Sequence, residues 1–154
     1  YGFCNVEISD GTVPMSYEDK ISLISRYSKD FQVFSEVGSK YVENYITPRD
    51  WVRFISTDLE HGASYVITES REMGKGGICR ADGELRFGLI DEIASYIDQN
   101  RLVFEAPNKD LQVWFIKKFG PNANLANIYP EDIIPLETLR LGLRSDTLLD
   151  FNKV

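Results

Sequence analysis

Four glutamates, Glu7, Glu36, Glu69 and Glu105, each stand near the carboxyl end of a short β-prone run. The runs cover residues 6–9, 33–37, 65–70 and 102–106, and a fifth at 124–128 carries Asn127 in the corresponding place. Successive members recur at intervals of about 30 residues, the length of one strand-plus-helix unit, with a shorter last step. Oxygen donors delivered one per strand to the same end of a parallel sheet suit a divalent metal and acid chemistry. Cations follow the same strand ends closely. Arg71 lies one strand step beyond Glu69 on the same face, placed to clamp a phosphate or carboxylate; its plainer role is an ion pair with Glu72 or Glu105. Lys75 sits among Gly74, Gly76 and Gly77, where backbone N–H groups suit an anion, although the base of a flexible hairpin is the simpler reading. Asn127 is placed to orient a substrate, with a short helix after it whose positive end suits phosphate.

Strand alternation decides where the acids point. Glu7 faces away from Val6 and Ile8, and Glu36 shares a face with Phe34 and Gly38. Directed at a helix layer, each carboxylate would be buried against apolar side chains at a cost of several kcal/mol. Directed into the mouth of a barrel, it meets water and a cation instead.

The elements between the runs are helices. Ser16 with Asp19 forms a capping-box spacing, and Ile21, Ile24, Tyr27 and Phe31 mark one face of the helix that follows. Thr47, Pro48 and Asp50 start a second helix with Trp51, Phe54, Ile55 and Leu59 as its buried stripe and Gly62 as its stop. His61, at that helix's end, suits the dipole and carries no catalytic signal. A third helix is expected over 87–99, after a small hairpin turning at Asp82-Gly83. Asn108 caps a fourth, with Leu111, Trp114 and Phe115 inward and Gly120-Pro121 closing it. Pro130 and Pro135 split the last helical region into a short helix and a longer one over 136–143.

Strands and helices therefore alternate, which implies a parallel sheet. The chain's 154 residues are close to five-eighths of the roughly 250 in a (βα)8 TIM barrel. The expected fold is α/β: a partial TIM barrel of about five parallel strands in one domain spanning 1–154, lacking three N-terminal units of roughly 90 to 100 residues. A complete five-stranded open sheet is the competing architecture.

Composition excludes several classes. Hydrophobic residues make up 43% and charged residues 27%, as in an ordinary globular domain. Twenty-four acidic against 17 basic residues give a net charge of -7, which disfavours nucleic acid as a partner. No apolar run approaches the roughly 20 residues that cross a bilayer, and the opening residues lack the pattern of a signal peptide, so no membrane partner and a cytoplasmic location are expected. Cys4 and Cys79 have neither metal-like spacing nor a disulfide framework. Ser9, Ser35 and Ser70 have no neighbouring histidine, so a hydrolase triad is not supported. Self-association into a homo-oligomer stays open.

Taken in order, the strand-end motifs resemble the phosphosulfolactate synthase family. The matching stretches are Val6-Glu7-Ile8-Ser9-Asp10-Gly11-Thr12, Ser35-Glu36-Val37-Gly38-Ser39-Lys40, Val66-Ile67-Thr68-Glu69-Ser70-Arg71-Glu72 and Phe104-Glu105-Ala106-Pro107. They continue through Phe119-Gly120-Pro121-Asn122 and Leu136-Glu137-Thr138-Leu139-Arg140 to Leu143-Arg144-Ser145-Asp146-Thr147. The resemblance implies a barrel enzyme that adds sulfite to phosphoenolpyruvate with Mg²⁺, serving coenzyme M or sulfolactate biosynthesis, with this chain matching the fourth to eighth strands. For that metal Glu36, Glu69 and Glu105 are favoured, with Glu7 as a further candidate, the plainer role of each acid being a pair with an inward lysine or arginine; Lys40 is favoured for proton delivery. By itself, Lys40 reads as a solvated loop lysine. Two other readings accompany this one: a barrel acting on a different enolisable carboxylate, and a non-catalytic relative associated with heat stress.

Overall fold

The computed structural model describes residues 1–10, 13, 15–38, 46–70 and 76–151. Among them, five strands alternate with helices: β1 (Asn5–Ile8), α1 (Tyr17–Tyr27), β2 (Gln32–Val37), α2 (Pro48–Glu60), β3 (Ala63–Thr68), α3 (Phe87–Tyr96), β4 (Leu102–Glu105), α4 (Lys109–Phe119), β5 (Leu125–Ala126), α5 (Ile133–Arg140) and α6 (Leu148–Phe151). All pairings are parallel and the spatial order is β1-β2-β3-β4-β5, the order of the sequence. That order separates the two expected architectures. A doubly wound open sheet reverses its strand order at a switch point, which puts helices on both faces. A consecutive order with crossovers of one hand keeps every helix on one side, and the sheet is a half-barrel.

The two faces differ accordingly. Val33, Val37, Val66, Leu102 and Phe104 point to the helix side, where they form one core with Ile24, Trp51, Ile55, Ile90, Ile93 and Phe115. On the opposite face Phe34 and Tyr65 stack at 4.9 Å and are only half-buried. Trp51 is fully buried, and Trp114 joins an aromatic group with Phe87 at 5.4 Å and Phe115 at 5.1 Å. Both tryptophans are packing residues.

The helix starts follow local chemistry. Ser16 Oγ accepts from the Asp19 N–H at 3.1 Å and donates to the Asp19 carboxylate at 2.7 Å. Thr47 does the same for Asp50, at 3.2 and 2.7 Å. Asn108 accepts from the Leu111 N–H at 3.0 Å. Between β3 and α3, Asp82-Gly83 does turn a hairpin, reduced to a single antiparallel bridge between Cys79 and Leu85.

Three boundaries differ from expectation. The third helix stops at Tyr96, because Ile97 is extended and Asp98 caps a separate turn at Gln99–Arg101 by accepting from the Asn100 N–H. The last helix begins at Ile133 rather than at 136. Pro135 occupies its first turn, where the missing N–H has no carbonyl to meet. The fifth strand contracts to Leu125–Ala126, since Asn127 turns to a φ of 57°. No helix among the described residues is long and apolar enough to cross a membrane.

Candidate metal centre

Register brings the acids together. Val37 pairs with Thr68, Thr68 with Phe104, and Glu105 with Ala126, so Glu69 and Glu105 come level at adjacent strand ends, with Glu36 alongside on β2. Each lies on the face away from the helices. One carboxylate oxygen from each of Glu36, Glu69 and Glu105 falls within 4.8 Å of the others. Glu36 and Glu69 are buried and Glu105 is half-buried. Three of the four acids expected at the barrel mouth, Glu36, Glu69 and Glu105, lie together.

Neighbours fix two of the carboxylates and the backbone of the third. Ser9 Oγ donates to Glu36 Oε1 at 2.7 Å, and the Ser70 N–H donates to Glu105 Oε2 at 2.6 Å. Glu69 is seated by two glycines. At Gly77, with φ of 56°, a Cβ would lie 1.9 Å from the Glu69 carbonyl oxygen; at Gly38, with φ of 141°, it would lie 2.4 Å from Glu69 Cβ. Only glycine admits both the left-handed backbone and that approach. The Ile78 N–H then donates to the Glu69 carbonyl at 2.9 Å, tying the short hairpin to the strand end.

Three ionised carboxylates at this separation repel by about 3 kcal/mol per pair at an effective dielectric of about 20. A divalent cation reverses that sign. Hard oxygen donors from three strands suit Mg²⁺, which takes few protein carboxylates and keeps several waters. The donor set fits the group that the resemblance implies.

The other expected site residues are placed as follows. Glu7 pairs with Phe34, two positions short of Glu36, and lies outside the cluster; Ser9 takes the place beside Glu36. Asn127 follows Ala126, the partner of Glu105, and is half-buried. Lys40, Arg71 and Lys75 lie outside the described residues. His61 caps α2 with Nδ1 2.7 Å from the Thr57 carbonyl oxygen.

Sequence reasoning missed three contributors. Ser9 was legible, since it shares a strand face with Glu7 one step nearer the mouth. Arg86 donates to the carbonyls of Gly77 at 3.1 Å and Ile46 at 3.2 Å, joining the connections that follow β2 and β3. Its position just before α3 gave no signal. Lys20 is buried on α1, one turn before Ile24, and donates to the Glu36 carbonyl. A lysine at that spacing from an apolar stripe was the available clue.

With this geometry in hand, the comparisons decide the family. The family model described as (2R)-phospho-3-sulfolactate synthase (ComA) matches residues 1–146. The chain belongs to that family. It is 54% identical over 150 positions to the phosphosulfolactate synthase of Bacillus subtilis, covering 96% of this chain and 60% of that protein. The phosphosulfolactate synthase of Methanocaldococcus jannaschii is 46% identical over 158 aligned positions, covering 99% and 61%. A shorter match, 32% over 82 residues, joins 53% of this chain to Protein HEAT-STRESS-ASSOCIATED 32 of Arabidopsis thaliana. The chain thus spans about 60% of the length of the synthases it matches. The resemblance drawn from the strand-end motifs holds, and the half-barrel accords with the barrel it implied.

Proposed function

We propose that this chain is the acidic, metal-holding part of a phosphosulfolactate synthase, a lyase that joins sulfite to phosphoenolpyruvate in a C–S bond. The sulfite sulfur lone pair attacks the methylene carbon, and the π electrons of the double bond move onto the carboxylate, giving an enolate-like dianion. A proton delivered to the adjacent carbon from one side completes (2R)-phospho-3-sulfolactate and fixes its stereochemistry. No bond to phosphate breaks.

When bound, Mg²⁺ supplies positive charge where the dianion develops. Glu36, Glu69 and Glu105 are the residues that hold it, and Ser9 and the Ser70 N–H orient two of them. Lys40 is the proposed proton donor: desolvation and a nearby cation lower a lysine's pKa into a useful range. Arg71, Lys75 and Asn127 bind the phosphate, carboxylate and sulfite oxygens. The observation that carries this reading is the gathering of three buried or half-buried carboxylates at the carboxyl end of the half-barrel, in a chain whose whole-length relatives are named for this synthesis.

The test is direct. Full-length protein incubated with phosphoenolpyruvate, sulfite and Mg²⁺ gives a sulfonated product by mass spectrometry, and omission of any one component abolishes it. Sulfite-independent turnover of another carboxylate overturns the substrate assignment. Intact cation binding with no turnover of any substrate favours the stress-associated kind of relative, for which the match to the Arabidopsis protein is the supporting observation.

A further inference from the structure

A buried ion pair lies directly behind the acidic cluster, on the helix side of the sheet. Lys20 of α1 is 2% exposed and Asp58 of α2 is fully buried, among the apolar residues that join the helices to β2. The Lys20 ammonium faces Asp58 Oδ2 at 3.1 Å, close enough for an ion pair though off the line of a hydrogen bond. It donates to the backbone carbonyl of Glu36. The Tyr17 hydroxyl lies 3.2 Å from both Asp58 Oδ1 and the Phe54 carbonyl oxygen, and its ring packs on Phe54 at 4.7 Å. Burial and the Asp58 charge together raise the Tyr17 pKa, so this hydroxyl stays protonated and remains a donor.

Stability alone does not account for such a pair. Removing two charges from water costs about as much as their attraction returns, and apolar side chains of similar size pack there as well or better. The pair's distinctive contact is with β2. Val37 O accepts from the Glu69 N–H on the β3 side, so by alternation the Glu36 carbonyl is directed toward β1. The β1 ladder ends at Ile8, opposite Ser35, two residues short of the N–H that would serve as a strand donor there. Lys20 takes that place. Glu36 is consequently held twice, at its carbonyl by Lys20 and at its carboxylate by Ser9.

We infer that Lys20, anchored by Asp58, is a positioning residue that sets the backbone of Glu36 and thereby the geometry of the three-carboxylate cation site. This rests on the proposed reading of that site. Partners that orient metal-holding residues typically change affinity 10- to 100-fold when removed.

The experiment uses the full-length protein in four forms: wild type, E36Q, the apolar double replacement K20M/D58L, and D58N. Each is titrated with Mn²⁺ as the probe, followed by electron paramagnetic resonance, and melted in parallel. The double replacement is expected to melt at or above the wild-type temperature yet bind Mn²⁺ on the order of 10- to 100-fold more weakly. D58N, which leaves the ammonium in place but loosens its anchor, is expected to fold and lose affinity several-fold. A purely structural pair moves the melting temperature and leaves affinity alone. If both variants bind within twofold of wild type while E36Q does not bind, the positioning role is overturned and the cation site stands. If wild type itself takes up no Mn²⁺, the site reading fails and this inference falls with it.

Discussion

At the scale of single residues, the central observation is that one carboxylate oxygen from each of three glutamates lies within 4.8 Å of the others, close enough for like charges to repel. E69Q or E105Q relieves the repulsion while removing a hard donor. Both variants are therefore expected to melt at or above wild type without divalent cation, and to lose most of the stabilisation that Mg²⁺ gives. Melting curves with and without Mg²⁺ check this; loss of stability in both conditions would assign the acids a structural role. Gly77 is a second test at this scale. G77A combines a φ of 56° with a Cβ 1.9 Å from the Glu69 carbonyl oxygen, a backbone atom that cannot rotate aside. It is expected to cost more than about 1 kcal/mol in urea denaturation and to weaken Mn²⁺ binding as well.

At the scale of elements, short-range chemistry explains most of what the chain does. Ser16, Thr47 and Asn108 each satisfy an N–H three residues on, and each was legible because capping depends on one residue and its near neighbours. N108A is expected to destabilise the protein by about 1 kcal/mol in denaturant titration, with the cation site unaffected. Boundaries set by tertiary contact were less legible. Nothing local shows that Pro135 is tolerated in a first turn, or that β5 is two residues long because Asn127 turns left-handed. A tie between elements gives a pH prediction. Lys109, hydrogen-bonded at 2.8 Å, holds the half-buried Asp146 carboxyl below its ordinary value. A depressed acid contributes stability above its unfolded pKa of about 4, and that contribution disappears as pH falls through the lower folded value. Wild type is accordingly expected to melt slightly above D146N at pH 7, with the gap closing in strong acid.

At the scale of the whole molecule, a consecutive parallel order curls the sheet and leaves β1 and β5 as its two edges. On the face away from the helix-side core, Phe34 and Tyr65 stack and are only half-buried among the described residues. Exposed edges and an open apolar face favour pairing with another chain. The 154-residue chain alone is expected to associate with rising concentration in sedimentation velocity, and to do so less at low salt, where its net charge of -7 is least screened. This architecture was readable from the rhythm of the strand-end acids, because one donor per unit at one sheet end leaves few alternatives. The partners behind the sheet were not readable. Lys20 and Asp58 lie on different helices 38 positions apart, and only packing shows that they meet under Glu36. Anomalous diffraction from crystals of the full-length protein grown with Mn²⁺ measures the convergence of the glutamates most directly. One strong peak is expected within coordination distance of Glu36, Glu69 and Glu105. A peak elsewhere, with lysine or arginine side chains between those three carboxylates, would contradict it.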